Sequence, residues 1–339
     1  MRAPGVRVRQ SDGEATRRDL AVRRMLRTDL GILREDGYLV LPVVNAGEPS
    51  RLPGELVERD FPIVKRQITS DYRDLLDWPP DAKALLPRSF DVVGDIVLIR
   101  LPEELEKRKH EIGEALLSFV PSARVVGQDR GVHGTERLRS IERLAGSGAW
   151  RTRHRENGIE FEVDVERAYF SPRLAREHER VASEVKSGEE VYDLCCGVGP
   201  FALTIARSGR ATRITAVDAN PSAIELLRAT QRRYSYGSRI EPVLAPLESF
   251  LPLAAAVDRV VLNLPHEGIK YLPSVARTVA PRGSLHYYEI TPREEFDRRA
   301  ESIMRSLGGE DWSVVDRHVV HPYSPTADLV ALVFARSRS

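Results

Sequence analysis

Two stretches of this 339-residue chain carry residue types at spacings that could do chemistry. The first is Asp193-Leu-Cys-Cys-Gly-Val-Gly-Pro-Phe201, which follows an apolar run ending at Leu194. Gly197 and Gly199 allow a tight turn and the close approach of a ligand to the backbone. A helix starting near Phe201 would turn its free N–H groups toward a carboxylate. Asp218 closes the next apolar run, about twenty residues after the glycines, where an acid can accept both hydroxyls of a ribose. Ala202 stands where a nicotinamide-binding loop has its third glycine, and the acidic Asp193 precedes the turn. Both features favour S-adenosylmethionine over a nicotinamide or flavin. Cys195, Gly197, Gly199, Phe201 and Ala219 are the expected loop contacts, beside Asp193 and Asp218. Asp193 has a plainer reading as a cap on a strand end. Cys195 and Cys196 read as small loop residues, because no nearby base would activate a thiol.

The second stretch is Val260-Val-Leu-Asn-Leu-Pro-His266. A strand running into Asn263-Leu264-Pro265 places Asn263 at a carboxyl end, where ligands bind in open α/β sheets. An amide offers a donor and an acceptor, which suits the edge of a purine; the plainer reading of Asn-x-Pro is a turn. Upstream, Tyr169-Phe-Ser-Pro-Arg-Leu-Ala-Arg-Glu177 predicts a helix opened by Ser-Pro, with Arg173 and Glu177 on one face. On spacing alone that pair reads as an exposed ion pair.

From about residue 170, helical and β-branched runs alternate to the end, as a mostly parallel sheet with crossover helices requires. Upstream, residues 13–31 predict an amphipathic helix through Val22, Met25, Leu26 and Leu30, and residues 37–43 a strand. A small α/β unit closes near residue 60. Residues 70–89 carry breaker signals and read as a linker. Phe90 to Ile99 reads as one buried strand and Glu103 to Phe119 as a helix. Strands are expected at 123–126 and 158–165, with an arginine-rich piece, Gly134 to Arg139, between them. The fold class is therefore α/β, a Rossmann-like domain at 166–339 preceded by two small α/β (α+β) domains at 1–72 and 73–165.

Hydrophobic residues make up 42 % of the chain and charged residues 30 %, which fits globular domains with real cores. No apolar run approaches the ~20 residues needed to span a bilayer, and the N-terminus lacks the apolar stretch of a secretory signal. The two adjacent cysteines offer neither a disulfide nor a zinc spacing. A cytoplasmic location is expected. A net charge of +1 argues against holding nucleic acid by bulk attraction alone. The basic residues are nearly all arginine, which suits bidentate phosphate and base contacts.

Together these segments resemble the archaeal and eukaryotic tRNA (guanine-37-N1)-methyltransferase family. The matching pieces are Gly134-Thr-Glu-Arg-Leu-Arg139, His154-Arg-Glu-Asn-Gly158, Tyr169 to Leu174 with Glu177, Asp193 to Phe201, Asp218 to Leu227, Asn263-Leu-Pro265 and His286-Tyr-Tyr288. The resemblance covers nearly the whole chain, residues 5–43 resembling the small N-terminal domain of the archaeal branch. It implies Glu177 as the general base at guanine N1. Arg137 would stabilise charge on O6, with Arg139 the near alternative. Asn263 would orient the guanine edge, Pro265 would shape the pocket, and Tyr169 and Arg173 would surround it. It further implies S-adenosylmethionine as cofactor, no metal, and a monomer. Its partner would be tRNA, held at the anticodon loop and, through the N-terminal domain, at the outer corner. Two segments depart from the family pattern: Leu244-Ala-Pro-Leu-Glu248, where an acid usually meets adenine, and residues 232–239. Rival readings are an aminocarboxypropyl transferase or a tricyclic-guanosine methyltransferase of the wybutosine pathway, and an idle tRNA-binding protein. Asp218 and Asn263-Leu-Pro265 favour methyl transfer over the aminocarboxypropyl reading.

Overall fold

The computed structural model describes residues 1–23, 25–27, 29–44, 53–62, 70–133 and 138–337. They fall into two compact units, 1–70 and 71–339. In the first, β1 (Arg2–Arg9), α1 (Gly13–Val22), β2 (Leu33–Glu35), β3 (Tyr38–Pro42) and β4 (Glu55–Asp60) build an antiparallel sheet in the order β2-β3-β1-β4. Val6, Val8, Leu20, Leu41 and Val43 form one side of its core. The helix expected over 13–31 stops at Val22. Beyond it the backbone pairs with the end of β3 instead: Arg27 N–H donates to the Pro42 carbonyl at 2.8 Å and Val44 N–H to that of Met25 at 2.7 Å.

The second unit opens with a 3-10 turn at Tyr72–Leu75 and α2 (Pro80–Ala84). The expected linker is thus part of a core. Tyr72, Leu76, Trp78 and Leu86 are buried against Ile99, Ile112 and Leu116, and the Trp78 indole donates to Glu111 at 2.8 Å. Prolines and turn residues shape this backbone, but its large apolar side chains decide where it goes. The expected single strand at 90–99 is a hairpin of β5 (Asp91–Val93) and β6 (Ile96–Ile99). Gly94 makes the turn with φ +59°, and a Cβ there would lie 2.2 Å from Thr152 Oγ1. After α3 (Lys109–Phe119), β7 (Val125–His133) and β8 (Leu138–Gly146) complete a four-stranded sheet in the order β5-β6-β7-β8.

A separate hairpin follows, β9 (Arg151–Glu156) and β10 (Ile159–Asp164). Ile159, Phe161 and Val163 alternate into the same core as Val181, Phe201 and Leu227. This hairpin therefore packs on the helices of the sheet that comes after it, although its residues fall within 73–165.

The remaining elements are α4 (Ala175–Glu184), β11 (Glu190–Leu194), α5 (Pro200–Ser208), β12 (Arg213–Asp218), α6 (Pro221–Gln231), β13 (Ile240–Leu244), α7 (Leu247–Phe250), β14 (Val257–Leu262), α8 (Leu272–Arg277), β15 (Val279–Pro292), α9 (Phe296–Ser306), β16 (Trp312–Pro322) and β17 (Ala327–Arg336). Seven strands run β13-β12-β11-β14-β15-β17-β16. The first five are parallel, and β17 and β16 add antiparallel. Runs such as Val260-Val261-Leu262 are buried throughout, as strands covered on both faces must be. Strand order reverses at β11, between β12 and β14, so the turn after Leu194 sits at the switch point of the sheet.

Candidate active site

The turn after β11 is held in left-handed backbone at three places: Cys195 (φ +60°), Gly197 (+56°) and Gly199 (+78°). A Cβ on Gly199 would lie 2.4 Å from Leu227 Cδ1, so that glycine lets α6 close on the turn. At Gly197 the nearest atom would be the Tyr169 carbonyl oxygen, at 3.4 Å. Gly199 caps α5 and Pro200 occupies its first position. Asp193, fully buried, reaches across from β11 so that its Oδ2 accepts the Ala202 N–H at 3.0 Å. Its Oδ1 is buried with no partner. Burial pushes the Asp193 carboxyl up to about 7; the Ala202 N–H opposes this and the Asp218 charge adds to it. The plainer reading of Asp193, a cap, thus describes one oxygen and leaves the other available.

Asp218 buttresses the same turn. Its Oδ2 accepts the Gly197 N–H at 2.7 Å and its Oδ1 that of Asn220 at 2.8 Å. Ala219, next in the chain, is exposed. Leu244 pairs with Asp218 in the β12–β13 register and is 53 % exposed, and the Ala245 N–H donates to the Asp218 carbonyl at 3.0 Å. An apolar patch therefore lies beside the carboxylate. Glu248 is turned away to accept the Tyr271 hydroxyl. Phe201 is buried, its ring 4.5 Å from that of His178 and 5.5 Å from that of Tyr288. Cys195 is half-buried and Cys196 buried. Burial, with the charges of Asp193 and Asp218, pushes the Cys196 thiol up, so it is inert.

On the other side, α4 carries Glu177, 5 % exposed. Arg180 donates to both of its oxygens at 3.0 and 2.7 Å, Tyr288 to Oε1 at 2.6 Å, and His318 meets Oε2 at 3.1 Å. Burial raises the Glu177 pKa, but the bonds from His318, Arg180 and Tyr288 outweigh it and hold the carboxyl well below the usual range. Arg173 does not pair with Glu177. It lies in a 3-10 turn (Pro172–Leu174) ahead of α4, where the i,i+4 spacing does not hold, and donates to Asp91 on β5 at 2.7 Å. Asn263 is half-buried, and its amide makes no hydrogen bond among the described residues. The loop it opens is braced: the Leu264 carbonyl accepts the Gly268 N–H at 2.8 Å and the Pro265 carbonyl that of Ile290 at 3.3 Å. Tyr288 and Ile290 belong to one strand, so β15 ties Glu177 to the Asn263-Leu264-Pro265 loop.

Arg137 lies outside the described residues. Arg139 is buried, bound to Asp129 at 2.6 Å and to the Phe170 carbonyl at 3.0 Å, with its guanidinium 5.1 Å from the Tyr169 ring. It pins the Tyr169–Phe170 segment to the sheet of β7 and β8. Tyr169 itself is 39 % exposed. The His154 to Gly158 motif is also structural. Asn157 (φ +48°) and Gly158 (+76°) turn the hairpin, and Asn157 Nδ2 donates to the Ala175 carbonyl at 2.8 Å. Glu156 meets His178 at 2.6 Å in a buried pair. Three partners of Glu177 escaped the sequence reading. Arg180 follows it by three residues, a helical neighbour. Tyr288 stood in a matched motif without a role. His318 had no local signal, being 141 residues away.

The unpartnered Asp193 oxygen can accept from an ammonium, the glycines leave a cradle open, and Leu244 beside Asp218 offers an apolar face next to a hydroxyl acceptor. That donor set fits a nucleoside bearing an amino acid. Among the described residues no cluster of His, Cys, Asp and Glu could hold a metal, and no helix is long and apolar enough to cross a membrane.

Known proteins share the sequence pattern and fold of this chain. Residues 152–315 match the TRM5/TYW2 methyltransferase domain and residues 72–149 the TYW2 N-terminal domain. The tRNA (guanine(37)-N(1))-methyltransferase Trm5b of Methanocaldococcus jannaschii is 31 % identical over 97 % of both chains. A solved complex of aTrm5 with tRNALeu is 30 % identical, with TM-score 0.71 over 98 % of this chain and 99 % of that one. The Methanocaldococcus jannaschii Trm5 structure in complex with adenosine is 29 % identical, with TM-score 0.69 over 99 % and 100 %.

Proposed function

The chain belongs to the TRM5/TYW2 methyltransferase family, and from that premise we propose that it methylates N1 of guanosine 37 in tRNA, using S-adenosylmethionine. Two archaeal relatives named for this reaction match over 97 % of this chain, and a tRNA complex of the same fold is among the similar structures. The observation that carries the reading is Glu177: a buried carboxylate tied through β15 to the amide loop at Asn263.

S-adenosylmethionine supplies a methyl group already activated on a sulfonium, so no metal is required. Asp193 Oδ1 would take its ammonium, the Gly197–Gly199 turn its carboxylate end, Asp218 its ribose, and Leu244 with Ala245 the adenine face. Cys195, Phe201 and Ala219 complete the walls. Guanine N1 is a poor nucleophile while protonated. Glu177 removes that proton, and Arg137 faces the charge that grows on O6. Arg139 binds Asp129 and the Phe170 carbonyl, which supports Arg137 for this role, with Arg139 the near alternative. Asn263 holds the guanine edge, Pro265 shapes the pocket, and Tyr169 and Arg173 line its rim. Reaching N1 requires an unpaired base, which an anticodon loop provides. In this reading residues 1–72 contact the tRNA outer corner, 73–165 contribute to the active site and to tRNA binding, and 166–339 bind the cofactor and carry the chemistry, in a cytoplasmic monomer.

The test is incubation with unmodified tRNA carrying guanine 37 and methyl-labelled cofactor, followed by mapping. N1-methylguanine is expected there, with almost none from Glu177→Gln or Asn263→Ala. The mass of the product separates methyl from aminocarboxypropyl transfer. Absence of transfer by the wild-type protein rejects the reading.

A further inference from the structure

Glu177 does not stand alone over the sheet. In the strand register Tyr288 of β15 pairs with Ala331 of β17, and Ala331 pairs with His318 of β16. Cross-strand partners point to the same face of a sheet, with about 4.8 Å between neighbouring strands. Tyr288, Ala331 and His318 therefore form one row beneath α4. The small central side chain leaves a gap, and the Glu177 carboxylate sits between the two larger ones, bonded to both. Register shifts at 314/316 and 319/321 bracket Asp316 to Val319 on this edge strand, and such bulges re-aim side chains. The His318 ring bridges inward and outward. Nε2 meets Glu177 at 3.1 Å, and Nδ1 meets Asp316 at 2.9 Å, whose side chain is 48 % exposed. A chain of hydrogen bonds thus leads from the buried carboxylate to water.

We propose that His318 is the relay through which Glu177 passes the guanine N1 proton to solvent. This rests on Glu177 being the base. With His318 neutral, Nδ1–H stays on Asp316 and the Nε2 lone pair faces Glu177. The N1–H bond breaks onto Glu177 and its electron pair stays on N1. N1 bonds to the methyl carbon as the carbon–sulfur bond breaks, and that pair goes to sulfur. The Glu177 proton then moves to Nε2, and the Nδ1 proton leaves by Asp316 to water. One proton is released per methyl transferred.

The resting arrangement is the state of that sequence just before the Nδ1 proton leaves. Both ring nitrogens face carboxylates, which only accept, so both donate and the ring is an imidazolium. In that form it holds Glu177 ionised and weakly basic; losing its proton makes Glu177 a stronger base. The bond to Glu177 raises the His318 pKa; burial and the Arg180 charge oppose this and Asp316 supports it. Nearby on the packed elements are Glu184 on α4, Tyr288 and the buried His286 on β15, and Arg259 on β14, which donates to His286 at 2.5 Å; burial, with the Arg259 charge beside it, pushes the His286 pKa down.

Single-turnover methylation by the full-length protein, followed from pH 5.5 to 9, tests the relay. The wild-type rate should rise through a midpoint above 6.5 and then level. His318→Gln, which keeps a donor but cannot titrate, should lose that inflection and about 10²- to 10⁴-fold in rate, with tRNA and cofactor affinities unchanged. His318→Ala should be partly restored by added imidazole. Ala331→Val, which fills the gap, should also slow the step. Wild-type inflection and rate in both His318 variants overturns the relay, as does a loss matched by an equal loss of tRNA affinity that imidazole does not restore. Glu177→Gln keeps the two ideas apart: if it retains activity, the base assignment fails first.

Discussion

The Tyr288 hydroxyl donates to Glu177 Oε1 at 2.6 Å, a buried contact across 111 residues of sequence. Tyr288→Phe keeps the ring against Phe201 and removes one donor from the carboxylate. A hydrogen bond to a charged group contributes roughly 1.5–3 kcal/mol, so urea unfolding at pH 7 should show a loss of that size. The sign with pH follows from the depressed Glu177 pKa. Its contribution is present above the ordinary value near 4.5 and is lost as pH falls through the folded value. The difference between wild type and Glu177→Gln should therefore start to shrink below about pH 4.5 and go on shrinking as pH falls toward the folded value.

Asp193 gives the opposite sign. Burial lifts its carboxyl to about 7, so this group destabilises the ligand-free protein progressively as pH rises toward that value. A bound ammonium favours the carboxylate, so cofactor binding below pH 7 should release a proton. Affinity should strengthen by up to about tenfold per pH unit up to about 7 and flatten above it. Calorimetry in buffers of different ionisation enthalpy measures that proton directly. Asp193→Asn should bind weakly at every pH, with no proton release.

The two glycines of the turn should respond unequally to alanine. At Gly197 the cost is the left-handed backbone alone, about 1–2 kcal/mol, since the nearest atom would be 3.4 Å away. At Gly199 the Cβ also meets Leu227 at 2.4 Å, which adds an overpacking cost of about 1–3 kcal/mol. Thermal melts of both variants should rank Gly199→Ala as the less stable. Equal melts would mean that α6 yields freely at Leu227.

Arg139 and Arg137 should separate cleanly. Removing one partner of a buried ion pair costs about 3–5 kcal/mol, so Arg139→Met should lower stability by that order. Arg139→Met with Asp129→Leu should recover most of it. Arg137→Ala should leave the melting temperature in place and lower the methylation rate. The reverse assignment is right if Arg139→Met slows methylation but melts as wild type does, while Arg137→Ala methylates normally.

Legibility followed locality. The Gly-x-Gly turn, Asp218 and Asn263 were readable because a strand, a turn and a helix leave their signature within about ten residues. Their placement at the switch point then follows from the strand order. Residues 70–89 misled because proline and turn signals describe backbone, whereas Tyr72 and Trp78 are placed by what they pack against. The hairpin at 90–99 was hidden because an apolar run hides its own turn; only Gly94 marked it. Arg173 was misread because a 3-10 turn and an α-helix share a Ser-Pro opening but differ in which residues face each other. The partners of Glu177 on β15 and β16 depend on a register that no local pattern encodes. Nothing local separates Arg137 from Arg139; the pairing of Arg139 with Asp129, ten residues away, is a tertiary fact of the same kind.

The hairpin of β9 and β10 has a mechanical consequence. Glu156 grips His178, and Asn157 holds the first carbonyl of α4. His178 is the neighbour of Glu177, about 100° further round the helix. Fixing one fixes the azimuth of the other. The hairpin is thus a torque arm on the helix axis: a push at its tip is felt as rotation at Glu177, with no side chain linking the two directly. The aim of that carboxylate is set when the chain folds, before anything reaches it.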